Sequence, residues 1–170
     1  MEVTAATYDL KFSRIKNFLL GKEKPSLYTQ IACITGFISF AWFFSWYLLN
    51  LLALHMIETE EKLKGLKMVF YQLKDKYGLY DVFTTYYLMV LICLAASGIM
   101  FVGLLFSWRK KLWAPYLFIV SQTICIIIPV VFMGISYFIN EMSPAEQFGP
   151  FLPLLLFIIE IWRNRRQITI

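Results

Sequence analysis

Two apolar runs, Val82–Trp108 and Leu112–Phe138, lie end to end with only Arg109, Lys110 and Lys111 between them. Each run is 27 residues long. Crossing the hydrocarbon of a bilayer takes about 20 apolar residues, within a range of about 17–25, and a longer run accommodates by tilting. That layer holds no water to satisfy an open N–H or C=O, so runs of this length are helices. The join, Trp108-Arg109-Lys110-Lys111-Leu112-Trp113, is too short and too basic to be anything but a tight hairpin at a membrane surface. The chain is therefore read as multi-pass and helical.

Two further runs complete the plan. Leu27–Met56 is long enough to cross with room to tilt, whereas Phe148–Trp162 is short. The expected fold is an all-α integral membrane protein, a four-transmembrane-helix bundle in one membrane domain over residues 1–170. Residues 1–26 form a cytoplasmic tail with a short amphipathic interfacial helix. The spans are 27–56, 82–108, 112–138 and 148–162. An exoplasmic amphipathic arm covers 57–81, a cytoplasmic turn 109–111, an exoplasmic turn 139–147 and a cytoplasmic tail 163–170. The tail before Leu27 has no secretory apolar core, and the first run is far too long for a cleaved signal peptide, so it is expected to remain as an anchor.

Composition agrees with this reading. Hydrophobic residues make up 59% of the chain and charged ones only 16%, against roughly 45–50% and about 25% in soluble domains. The net charge of +5 would suggest nucleic acid in a soluble protein. Here Lys and Arg gather at the ends of spans, where they set orientation, and no nucleic-acid partner is expected. Cys33, Cys93 and Cys125 all fall inside spans, as small packing residues.

The polar segments carry helical patterns of their own. Tyr8, Phe12, Ile15 and Leu19 share one helix face with Lys11, Arg14 and Lys16 mostly off it. Tyr8–Leu20 is read as a basic helix lying in the interface, with a partner-bound helix or a disordered tail as the alternatives. Leu63, Leu66, Phe70, Leu73 and Tyr77 recur at intervals of three and four in the arm, which is amphipathic. Glu58–Lys62 and Glu60–Lys64 support it as i,i+4 pairs. The lone histidine, His55, reads as an interface hydrogen-bonding residue rather than a metal ligand.

The spans contain few polar groups. Trp42 and Trp46 form an aromatic pair on one face, read as packing. Ala32 and Gly36 give a small-xxx-small pair that permits close helix approach. Ala95, Ala96, Ser97, Gly98 and Gly103 narrow the second span. In the third, Ser121, Cys125 and Pro129 share a face, and Pro129 removes a backbone bond to Cys125. Asn50, Gln122, Thr123, Pro129 and Glu160 make up the candidate intramembrane polar or ligand site. For Gln122 the competing reading is a plain bond to a neighbouring span; for Glu160 it is an i,i+3 ion pair with Arg163. Trp108, Arg109, Lys110, Lys111, Trp113, Trp162, Arg163, Arg165 and Arg166 are the membrane-interface anchors, aromatic rings at headgroup level with cations beyond.

Counting Lys and Arg sets the orientation. The N-terminal tail holds five, the hairpin three and the C-terminal tail three, eleven on one side. The arm holds five, balanced by five acids, and the last turn none. The positive-inside rule puts both termini in the cytoplasm.

Metal-binding and nucleophile motifs, phosphate loops and dinucleotide fingerprints are missing, so neither enzyme activity nor a cofactor is expected. Four spans, an enlarged first outer arm, a basic turn and a Trp113-x-Pro115 start to the third span resemble small tetraspan proteins. The lysosome-associated tetraspan family and the sterol-isomerase-like four-span fold share parts of this plan. The chain departs from the first in lacking a long C-terminal tail and from the second in lacking embedded acids, so the likeness is one of layout and carries no functional residue across. The expected function is association, as an accessory subunit, adaptor or scaffold of a membrane complex. The expected partners are membrane lipid, another membrane protein or a second copy. The alternatives are a lipid or small-molecule binding or transport bundle, and a subunit of an oligomeric channel.

Overall fold

A computed structural model describes residues 25–59, 72, 81–141 and 144–168. The proposed interfacial helix and most of the 57–81 arm lie outside the described residues. Six helices follow in order among those described: α1 Leu27–Thr59, α2 Val82–Trp108, α3 Ala114–Met133, α4 Ile135–Glu141, α5 Pro144–Phe148 and α6 Phe151–Ile168. Three of them, α1, α2 and α3, are long and apolar enough to cross a membrane.

Local chemistry fixes the helix ends. Ser26 caps α1, its hydroxyl accepting the Thr29 N–H at 3.2 Å, which satisfies one of the donors left open in a first turn. Asp81 does the same for α2 through the Thr84 N–H at 3.1 Å. The basic hairpin is a Schellman turn. Lys110 N–H reaches the Ser107 carbonyl at 2.9 Å and Lys111 N–H the Phe106 carbonyl at 3.0 Å. Lys110 takes the left-handed position of that motif, with φ 59°. Pro115 then sits in the first turn of α3, where its missing N–H leaves no bond unmade. Phe106 and Trp113 pack across the turn with ring centroids 5.0 Å apart.

The four long helices run up, down, up and down. α2 and α3 form the most extensive pair, and α1 lies along α2. Phe40 of α1 meets Phe101 of α2 at 5.0 Å, and near the far end Tyr86 donates to Asn50 at 2.8 Å. α6 packs against α1 and α3. Gly36, Gly103 and their neighbours set the spacing around Phe118 and Phe157, whose rings lie 4.2 Å apart. A Cβ on Gly103 would come 2.9 Å from the Phe118 backbone nitrogen, and one on Gly36 would come 2.5 Å from a Leu104 methyl. Small residues thus let the backbones approach. Ala32, Cys33, Ala96 and Ser97 are buried with them, while Ala95 and Gly98 face outward.

The outer faces are apolar. Only 17% of the most apolar window of α1 is buried within the molecule, and in α2 the share is 44%. Trp42 and Trp46 point outward, 53% and 45% exposed, rather than packing inside. A soluble monomer rarely shows so continuous an apolar surface. The surroundings that suit it are hydrocarbon, in which a ring has no need to be buried.

Pro129 lies buried inside α3. Its missing N–H leaves the Cys125 carbonyl without the usual partner four residues on. The Tyr47 hydroxyl of α1 donates to that carbonyl at 3.4 Å. Cys125 also donates its thiol to the Cys93 carbonyl of α2 at 3.6 Å. The Ser121–Cys125–Pro129 face is therefore where α3 meets the other two helices.

The second half of the chain departs from the expected plan. The third apolar run was expected to stay helical to Phe138, but α3 stops at Met133. Gly134, at φ 86°, turns the chain out of the helix, a conformation open to glycine at little cost. Helix α4 follows, and α5 covers the end of the expected 139–147 turn and Phe148, the first residue of the expected fourth span. The fourth run was expected to cross over 148–162 as one piece, yet α6 starts partway along the bundle. Gln122 of α3 donates its side-chain amide to the Pro150 carbonyl just before α6. Gln122 is only eight residues past Ala114, about 12 Å along a helix that runs about 30 Å. Toward the hairpin, Trp113 and Trp162 each lie five residues from the Phe118–Phe157 contact, so those two rings share one level.

Replacing Gly103 with Ala should lower the thermal midpoint of the purified protein by several degrees, because the new methyl meets backbone. Gly98→Ala, which adds a methyl where nothing lies within 4 Å, should leave it within a degree or raise it. A second test concerns the proline. Tyr47→Phe should cost about 0.6–1.7 kcal/mol, the range for interhelical bonds in membranes. In a Pro129→Ala background it should cost nearly nothing, since the new N–H serves Cys125. Equal costs in the two backgrounds, read by unfolding in bicelles, would show that the carbonyl has another partner.

Candidate functional site at the hairpin end

The start of α1, the α2–α3 hairpin and the end of α6 meet at one end of the bundle. They enclose a polar cavity of about 320 Å³. α1 contributes Ser26 and Thr29, α2 contributes Ser107, the turn Lys110 and Lys111, and α6 Glu160, Arg163 and Asn164.

Glu160 is the centre of it. The residue is 5% exposed. One carboxyl oxygen accepts the Thr29 hydroxyl at 2.9 Å. The Ser26 and Thr29 hydroxyls are 2.9 Å apart. A hydroxyl has a single proton, and Thr29 directs its own at Glu160, so Ser26 donates to Thr29. The chain of donors runs Ser26 to Thr29 to Glu160. All three sit at the N-terminus of α1, whose open N–H groups form the positive end of the helix dipole. The other carboxyl oxygen, Oε2, is buried with no hydrogen-bond partner, and so is the Ser107 hydroxyl oxygen. Leaving such a group unpaired costs about 1–3 kcal/mol. Both belong to residues that line the cavity.

Arg163 is near enough to Glu160 for their charges to attract, but no contact ion pair joins them. Its guanidinium lies 4.6 Å from the centre of the Tyr28 ring, and the Tyr28 hydroxyl donates to the Leu156 carbonyl at 2.9 Å. Neighbouring residues of α1, Tyr28 and Thr29, thus clasp the end of α6 and hold Glu160 in place.

The five residues expected to form an intramembrane site do not come together. Asn50 is near the far end, bonded to Tyr86 and, through its own amide, to the Trp46 carbonyl at 2.8 Å. Gln122 is fully buried and holds the entry to α6; its side-chain oxygen has no partner. Thr123 is half-buried beside it. Pro129 belongs to the α1–α2–α3 contact, and Glu160 alone reaches the cavity. Of the anchors, Lys110, Lys111 and Arg163 line the cavity. Trp113 and Trp162 face outward, 50% and 54% exposed, and Trp108 is half-buried. Arg109 lies 5.6 Å over Phe106. The side chains of Arg165 and Arg166 lie outside the described residues.

Sequence reasoning missed Ser26, Thr29 and Ser107 as site residues. Ser26 was legible as a helix cap. Ser107 carried no signal, since a serine before a tryptophan in an apolar run is ordinary. A second hollow, of about 310 Å³, opens sideways between α1 and the start of α6 and is lined mainly by apolar side chains such as Ile38, Trp42 and Leu152. Compared with known proteins, the chain matches no family model, no curated protein and no solved structure.

Proposed function

We propose that the chain is a four-span membrane protein with both termini and the basic hairpin in the cytoplasm, and that it binds a lipid or another small molecule at the hairpin end. The activity is binding rather than catalysis. The observation that carries it is a polar cavity lined by Glu160 and Ser107, each of which also keeps a buried oxygen without a partner. Buried polar atoms are almost always satisfied, and an orphan in a roomy polar cavity calls for a ligand or water. A volume near 320 Å³ is at the lower end of ligand pockets. The cavity lies at the level of Trp113 and Trp162, the depth of a headgroup.

The fourth crossing is made in series by α4, α5 and α6. Helix α3 ends far from the hairpin and α6 ends beside it, so the chain must return between them. The count of eleven Lys and Arg against five supports the cytoplasmic side for the hairpin. Association as a subunit or adaptor rests on two amphipathic segments outside the described residues. The outward face of α1, with Ile31, Ile34, Ile38 and Leu49 exposed, suits lipid as well as a partner.

In intact cells a cysteine introduced at Lys111 should react with a membrane-permeant reagent and resist an impermeant one; labelling from outside would overturn the topology. Native mass spectrometry of the detergent-solubilised protein should find about one small molecule or lipid per chain. Its loss on Ser107→Val together with Glu160→Gln would support the pocket. A bare protomer would sink the reading, and a co-purifying protein with nothing small bound would favour association.

A further inference from the structure

The charges around the cavity are sorted by depth. The acid is inside: Glu160 is 5% exposed and one of its oxygens is unpartnered. The cations Lys110, Lys111 and Arg163 lie toward the end of the bundle, with the Asn164 amide beside them. Lys111 is exposed, and Arg163 is one helical turn beyond Glu160, a rise of about 4.5 Å. A plain anion would find the cations but also the Glu160 carboxylate beneath them. A plain cation would find the acid but first pass the cationic mouth. Like charges brought together in a partly buried site cost several kcal/mol. A ligand that carries both charges, with the positive one leading, meets neither conflict.

We propose that the cavity takes an ammonium–phosphate zwitterion, the chemistry of phosphoethanolamine, with its ammonium on Glu160 and its phosphate on Lys111 and Arg163. This rests on the binding function proposed above and specifies its ligand. A primary ammonium has three donors to offer the Glu160 carboxyl and the Ser107 hydroxyl of the cavity lining. A quaternary ammonium has none, so choline esters satisfy neither group. The phosphate accepts from the lysine and guanidinium groups in charge-assisted bonds. The same chemistry occurs as a phospholipid headgroup and as a water-soluble ester.

The test uses the full chain in mild detergent, with binding read by native mass spectrometry and titration calorimetry. The probes are phosphatidylethanolamine, phosphatidylcholine and phosphatidylglycerol, then soluble phosphoethanolamine, inorganic phosphate and ethanolamine. The zwitterionic primary amine should bind at least tenfold more tightly than the choline or glycerol lipid, or than phosphate or ethanolamine alone. Preference for the lipid identifies a membrane source, and preference for the soluble ester identifies an aqueous one; both support the inference. Glu160→Gln keeps an oxygen for Thr29 and should remove the tenfold preference, weakening phosphatidylethanolamine binding and strengthening that of phosphatidylglycerol, which no longer meets a carboxylate. Lys111→Gln, at an exposed position that leaves the fold intact, should weaken every phosphate-bearing probe severalfold. Equal binding of all three lipids by the unmodified chain, or an unchanged preference in the Glu160→Gln variant, overturns the zwitterion while the binding function stands. No binding of any probe overturns both.

Discussion

An open backbone carbonyl in hydrocarbon costs several kcal/mol, and most of this structure can be understood as the avoidance of that cost. Five of the six prolines, Pro25, Pro115, Pro144, Pro150 and Pro153, stand at or just before helix starts. There a missing N–H removes nothing the helix would have used. Pro129 is the exception, and it is also the proline that recruits a partner from another helix. Tyr47 fills the place of the lost N–H at Cys125, so a local defect in α3 becomes a contact that fixes α1. Gln122 works in the same way at the Pro150 carbonyl, and there the gain is the position of α6. Two proline-associated carbonyls account for much of how the second half of the chain meets the first.

That distinction separates what could be read in the sequence from what could not. The spans α1 and α2 and the hairpin were legible because their causes are local: apolar length, and a basic turn too short for any other shape. The buried face through Ser121, Cys125 and Pro129 was legible for the same reason, since helical spacing alone assigns it. The end of α3 was not. Gly134 sits in an apolar run that continues to Phe138, and apolarity does not distinguish a continuing helix from one that turns. The start of α6 was half legible. Pro150 and Pro153 mark a beginning, but its depth is set by Gln122, 28 residues away. Glu160 was misread in its bonding: spacing pointed to Arg163, whereas the structure joins it to Thr29 across 131 residues of chain. Tyr28, one residue before Thr29, takes Arg163 instead.

The start of α6 partway along the bundle has a consequence for where polar chemistry can sit. A helix running the whole thickness would satisfy its own backbone throughout and leave its polar groups to the surface. Here α6 starts at the level of Gln122 and packs against α1 and α3, which brings Glu160 to the hairpin end as a buried residue, with Arg163 exposed beyond it. Phe118 and Phe157 seal the bundle below that point. The cavity is therefore closed on the side of those two rings and lies at the hairpin end of the bundle. That shape suits a bound polar group and does not suit a through-pore among the described residues.

The hairpin first constrains the fold and then joins the site. Its turn requires one residue in the left-handed conformation, and glycine would take it with about 1 kcal/mol less strain than a residue with a side chain. Lys110 occupies it instead, at φ 59°. A glycine would serve the turn equally well and leave one cation fewer at the cavity. A lysine anchoring the headgroups could stand at Arg109 or Lys111, where the backbone imposes no such penalty. The left-handed residue lines the cavity together with its neighbour Lys111, Ser107 of α2 and Arg163 of α6. The extra strain is consistent with a lysine kept for the charge it adds at the cavity, above the carboxyl that Thr29 holds in place.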